Sequence, residues 1–203
     1  MESSIADLIR GARAGEGVAI DRLLGLYRNY LRLLARASLD VDLRVRGDPS
    51  DAVQEALLRA YQGIREFRGT TEAELVAWLK RIMANHLADH RRRHGAQVRD
   101  HARERPLDAT LDRSSLALRR LLGAGGESPS AFAHRREQEV LVADALAELG
   151  DDAREVIVLR SLQELEWADV GRRMARSPDA ARVLWARALR RLGKILRERG
   201  GEP

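Results

Sequence analysis

Three histidines, His86, His90 and His94, recur at four-residue spacing, the pattern that puts imidazoles on one helix face where they could hold a metal. Arg91, Arg92 and Arg93 lie among them, and three fixed positive charges disfavour a bound cation, so no metal is expected. The chain has no cysteine, which removes disulfides and any Cys-ligated zinc or iron–sulfur centre. It also lacks a Gly-rich phosphate loop of the required pattern and a Ser-His-Asp set that can be placed together, so neither a catalytic residue nor a cofactor is expected. What remains is positive charge. Of 36 basic residues in the 203, all but Lys80 and Lys194 are arginines, and 31 acids leave a net +5. A polyanion is the natural partner.

That charge is not spread evenly. From Arg172 to Arg199 ten basic residues stand against only Asp179 and Glu198, a local net of +8. In the same stretch a short apolar-periodic helix (Leu165, Ala168, Val170, Met174) is followed by Ala175-Arg176-Ser177-Pro178 and a longer helix, the outline of a helix-turn-helix. Ser177 can cap the second helix, Pro178 suits its first position, and Asp179 complements its positive end. Ala181, Trp185, Ala188 and Leu192 share the face that would pack inward, so Trp185 reads as core. This turns Arg182, Val183, Ala186, Arg187 and Arg190 outward. Arg182 and Arg187 are candidates for contact with base edges, and Arg172, Arg173, Arg176, Arg190 and Arg191 for phosphates. The plain alternative is a solvated basic face, which the cap, turn and buried stripe at the same place argue against.

Helical periodicity runs through nearly all the chain and sustained two-residue alternation is absent, so an all-α fold is expected. Ser3 or Ser4 can cap a first helix with Ile5, Leu8, Ile9 and Ala12 on one face, ended by Gly15 and Gly17. A second helix carries Ile20, Leu23, Leu24, Tyr27, Leu31 and Leu34. A third, from about Ser50, has the stripe Val53, Leu57, Ala60, Tyr61 and Ile64, and a fourth bears Leu75, Trp78, Leu79, Ile82, Met83 and Leu87, with Trp78 read as core rather than as a stacking wedge. From Gly95 to Ala133 the period fades and Gly123 to Ser130 has linker composition, although Leu111 to Leu122 could hold a short helix. Beyond it Val140, Leu141, Ala145, Leu146 and Leu149 mark one helix and Val156, Ile157 and Leu159 the next. Two small helical domains, 1–94 and 134–199, are therefore expected around a flexible linker, 95–133.

Two groups of residues carry a resemblance. Asp48 to Glu55, Phe67-Arg68-Gly69 and Trp78 to Asp89 together resemble the sigma-2 domain of bacterial sigma factors of the sigma-70 family, in its small two-domain ECF (extracytoplasmic function) group. Ala153 to Arg160, the helix-turn-helix and Leu184 to Ala188 resemble the sigma-4 domain of the same group. The resemblance implies an RNA polymerase subunit that directs core polymerase to promoter DNA and helps open it, with no chemistry of its own. It implies that Asp51, Gln54 and Glu55, at i, i+3 and i+4, form an anionic patch docking on the polymerase, where the residues alone also allow a solvated face with Asp51 serving the helix dipole. It implies that Phe67, Arg68, Gly69 and Thr70 receive a base flipped from the minus-10 element, where the residues alone also allow an interhelical loop. Arg81, Asn85 and Arg92 would then line the melted strand, with Arg91 to His94 a phosphate anchor. Arg176, Ser177, Arg182, Val183, Ala186, Arg187 and Arg190 would meet the minus-35 duplex.

The linker departs from the family pattern, carrying Arg99, Arg103, Arg105, Arg119 and Arg120 where family members are often acidic, and Asp40 to Gly47 lengthens the second turn. In this family an anti-sigma factor commonly covers the DNA-facing surfaces. A rival reading is a helix-turn-helix regulator that binds an operator without joining polymerase; it leaves the Asp51 patch without a purpose. A nucleic-acid enzyme lacks a site. No run of about 18 apolar residues and no signal-peptide order occurs, so a cytoplasmic protein without membrane partners is expected.

Overall fold

The computed structural model describes residues 4–38, 49–94, 111–114, 116–117 and 131–200, and the side chains of these except at 49, 90, 91, 93, 94, 131–137 and 200. Every regular element among them is helical, as expected: α1 (Ile5–Ala14), α2 (Gly17–Ser38), α3 (Pro49–Gly63), a 3-10 turn (Ile64–Glu66), α4 (Glu72–His94), α5 (Ala131–Ala147), α6 (Asp151–Ile157), α7 (Trp167–Arg173) and α8 (Pro178–Gly200). The chain divides into two compact units, residues 1–112 and 113–203. Most of the expected linker, and Asp40 to Gly47, lie outside the described residues; where a short helix was allowed, residues 111–114 and 116–117 are helical.

In the first unit Ser4 caps α1 through a reciprocal pair: its hydroxyl accepts the Asp7 N–H and the Asp7 carboxylate accepts the Ser4 N–H, both at 3.2 Å. Gly15, at φ 87°, ends the helix in a left-handed conformation. All six apolar positions expected on α2 are buried. The third stripe needs a correction. Val53, Leu57, Ala60 and Ile64 are buried, but Tyr61 is 44% exposed. Alanines at 52, 56 and 60, spaced i+4 and all buried, centre the inward face on that row and rotate position 61 outward. On α4, Leu75, Leu79, Met83 and Leu87 are buried, whereas Trp78 is only half-buried, beside the half-buried Ile82. Burial of α4 is shared with ties at its edges: the Tyr27 hydroxyl donates to Glu72 Oε1 at 2.8 Å, and Lys80 pairs with Asp112.

In the second unit, Val142, Ala143, Ala145, Leu146 and Leu149 form the inward side of α5 and its end. Val140 and Leu141, expected there, are half-buried. Arg154, its side chain 18% exposed, folds over the end of this helix: its Nε donates to the Leu146 carbonyl at 3.0 Å and its Nη2 to those of Ala147 and Leu149 at 3.0 and 2.6 Å. It satisfies carbonyls that a helix end leaves unpaired. After α6 the chain widens into a π turn over Val158–Leu162, and Glu164 takes a left-handed φ of 55°. That break puts Leu165 outside the next helix, which starts at Trp167, and Ala168 is exposed rather than inward.

Candidate nucleic-acid and polymerase-binding surfaces

The turn between α7 and α8 is set by a glycine. A Cβ on Gly171 would lie 2.7 Å from the Arg176 carbonyl oxygen and 3.2 Å from the Pro178 nitrogen, so only the absence of a side chain lets the turn close. The Arg176 N–H donates back to the Gly171 carbonyl at 2.9 Å, Ala175 adopts a left-handed φ of 52°, and the Ser177 hydroxyl accepts the Ala180 N–H at 3.1 Å. The cap expected at Ser177 is therefore present. Ala181, Ala188 and Leu192 are buried. Trp185 is half-buried on the same side, its ring meeting that of Trp167 edge-on at 5.7 Å.

The outward face holds two kinds of arginine. Arg172 pairs with Asp169, Arg176 with Asp152, and Arg182 with Asp179 at 2.6 Å. The Arg182 guanidinium also lies 5.6 Å over the Trp167 ring, and Arg160 lies 4.9 Å over it. Arg187, Arg190 and Arg191 are exposed and have no acid paired with them among the described residues. Val183 and Ala186 are exposed between them. Trp167 was not singled out from sequence, although an aromatic at the start of the first helix of such a pair was a readable signal for a packed anchor.

In the first unit, the loop after the 3-10 turn is held from both ends. Phe67 is 7% exposed and its ring lies 5.1 Å from that of Trp78, tilted by 34°. A Cβ on Gly69 would run into Phe67 Cζ, so the close approach this glycine allows is to the neighbouring ring. The Glu74 carboxylate accepts the N–H groups of Thr70 and Thr71, each at 3.0 Å, and the Thr71 hydroxyl at 2.8 Å, while the Glu74 N–H donates back to Thr71 Oγ1 at 3.3 Å. The Thr70 N–H, then the Thr71 hydroxyl and N–H, hold the Glu74 carboxyl below its ordinary range. Thr71-x-x-Glu74 is a capping-box signature that the sequence displays.

Arg59, Gly63, Glu66, Trp78, Ile82 and Asn85 line an open cavity of about 370 Å³. Its apolar wall is Trp78 and Ile82; its polar groups are a guanidinium, a carboxylate and an amide. Arg81, Asn85 and Arg92 are exposed on α4, but Arg92 is paired with Asp89, which also lies 3.8 Å from Arg59. On α3, Asp51 and Gln54 are exposed, while the half-buried Glu55 accepts from Arg59 Nε at 3.1 Å. Leu58, 52% exposed, and Tyr61 continue the same helix face at i+7 and i+10 from Asp51. Leu58 was missed because one apolar residue out of phase with the core stripe gives no periodic signal. Among the described residues no group of His, Asp and Glu is placed to hold a metal, and His90 and His94 have side chains outside them. No helix among the described residues is long and apolar enough to cross a membrane.

Two family models match, one for each unit: sigma-70 region 2 over residues 26–97 and sigma-70 region 4 over residues 139–192. An ECF RNA polymerase sigma factor, SigM of Mycobacterium tuberculosis, is 28% identical over 195 residues, covering 96% of this chain and 86% of that protein. The chain belongs to the sigma-70 family, in its ECF group. This sigma factor is also 28% identical over 165 residues to the ECF sigma-E factor of Haemophilus influenzae, covering 80% of this chain and 79% of that protein. Among solved structures it is similar to the RsbN-BldN complex (23% identity, 93% of this chain and 99% of the other, TM-score 0.35) and to CnrH bound to the cytosolic domain of CnrY (19%, 96% and 97%, TM-score 0.37). Both TM-scores are low. The cavity, the capped loop and the α3 ridge fall within its region 2 match; the glycine-set turn and the basic helix as far as Leu192 fall within its region 4 match.

Proposed function

We propose that this sigma factor joins core RNA polymerase through α3, reads the minus-10 element with the cavity and α4, and reads the minus-35 duplex with α8. On α3, Asp51 and Gln54 supply the polar part of the contact and Leu58 and Tyr61 an apolar part; Glu55, already bound to Arg59, contributes less charge than its type suggests. In the first unit an extruded base enters the cavity against Trp78, with Arg59, Glu66 and Asn85 placed to hydrogen-bond its edge, and Phe67 backs the tryptophan instead of touching the base. Arg68 and Thr70, exposed on the loop held by Glu74, and Arg81, Asn85 and Arg92 on α4 follow the strand. On α8, Arg187 reads a base edge, Arg190 and Arg176 take phosphates, and Arg182 is oriented by Asp179 and Trp167. The bond-forming chemistry belongs to the polymerase, and the protein acts in the cytoplasm, where an anti-sigma factor that covered these surfaces would silence it.

The observation that supports this reading most is that one chain carries both a region 2 match with an exposed Asp51–Gln54 ridge and a region 4 match on a helix-turn-helix. An operator-binding regulator has no use for the first. Selection from a randomised promoter library by core polymerase mixed with the protein tests it. Two conserved boxes a fixed distance apart are expected in the selected DNA, and none with Asp51→Lys. Selection by the protein alone, without polymerase, would favour the regulator.

A further inference from the structure

Val183 is 51% exposed on the first two turns of α8, on a face it shares with arginines, alanines and Asp179, the acid paired with Arg182. A single exposed apolar residue is ordinary and by itself says nothing. Its surroundings say more. Ala180 at i−3 and Ala186 at i+3 are exposed and too short to reach beyond the helix surface, so Val183 is the apolar group that protrudes there. On one side of it Arg182 is held by Asp179 and Trp167, and on the other Arg187 and Arg190, at i+4 and i+7, have no acid paired with them among the described residues. The opposite side of the helix is buried through Ala181, Ala188 and Leu192, so this face cannot turn inward. A β-branched side chain on a helix has one strongly preferred rotamer, so its two methyl groups are presented in a fixed direction.

The start of a recognition helix is the part that enters the major groove, and the apolar feature of that groove is the C5-methyl group of thymine. The geometry points to Val183 reading a thymine methyl within the minus-35 duplex, an inference that rests on the reading of α8 given above. The arginines flanking it would supply attraction and register, and Val183 would supply discrimination that charge cannot.

Deoxyuridine differs from thymidine only in lacking that methyl. The experiment replaces each minus-35 thymine of a library-selected promoter, on either strand, by deoxyuridine, and measures binding by the holoenzyme. Loss of one buried methyl contact is expected to weaken binding about three- to fivefold at one position and to leave the others unchanged. With Val183→Ala, which keeps the helix and the arginines, thymine and uracil at that position should bind equally. Indifference of the wild-type holoenzyme to every replacement would overturn the inference, as would a thymine–uracil difference that persists in Val183→Ala, or a selected minus-35 box with no A·T pair. In each of these cases sequence-selective binding at the minus-35 box would still stand. Loss of all minus-35 selectivity would instead remove the assignment of α8 itself, and the inference with it.

Discussion

The indole N–H of Trp185 donates to the Ser161 hydroxyl at 3.0 Å, and so ties the middle of the recognition helix to the π turn that precedes the helix-turn-helix. Ser161→Ala leaves a partly buried N–H unpaired and is expected to cost about 1 kcal/mol in the second unit alone. Hydrogen exchange, read separately for helices α1–α4 and α5–α8, checks it. Equal loss of protection in both sets would contradict a local role.

Arg154 closes the end of α5 with three charge-assisted bonds to carbonyls. Arg154→Ala strands those acceptors and is expected to destabilise the second unit by about 2–4 kcal/mol, with Arg154→Lys recovering only part because a single ammonium cannot fork. Denaturant unfolding followed through Trp167 and Trp185 fluorescence, with Trp78 replaced by Phe in every protein compared, reports it.

Gly171→Ala places a methyl 2.7 Å from a backbone oxygen, which cannot swing away as a side chain can. The turn must open, at a cost of about 1–3 kcal/mol. Holoenzyme binding to a minus-35 duplex should fall while polymerase association, assayed by co-purification, is kept.

At the first unit, Glu74 gives a pH dependence with a definite sign. Its folded carboxyl is held below the ordinary range, so its contribution is present above that range and lost as pH falls through the lowered value. The amide resonances of Thr70 and Thr71 should therefore be steady near neutrality and shift only in acid. Glu74→Gln, which keeps the cap but cannot titrate, should flatten that acid limb.

How far the sequence carried is clear at particular residues. The α2 core, the Ser177 cap and the inward Ala181, Ala188 and Leu192 were legible because each follows from periodicity or capping chemistry within one helix. Tyr61, expected in the core, is exposed, and Trp78 is only half-buried, for a reason periodicity cannot see. A helical stripe spans more than 100°, and which edge of it is covered depends on the neighbouring helix and on how closely small residues such as Ala52, Ala56 and Ala60 let that helix approach. The cavity and the Arg59 links to Glu55 and Asp89 join residues from separate elements, so no local pattern announces them. The π turn and the left-handed Glu164 likewise left no glycine or proline to mark them.

Docking is most sharply tested at α3. Glu55→Lys would also release Arg59 toward the cavity, confounding two surfaces, whereas Asp51 and Gln54 are exposed and neither lines the cavity. Asp51→Lys with Gln54→Lys is expected to abolish association with core polymerase and leave helix content by circular dichroism unchanged.

The measurement that decides most is run-off transcription from a library-selected promoter with core polymerase alone, with the protein added, and with the Asp51→Lys, Gln54→Lys protein added. A defined start site that appears only with the wild-type protein, and that is lost when either promoter box is scrambled, is the expected result. A protein that binds the polymerase yet leaves start-site choice as core alone makes it would contradict the central claim.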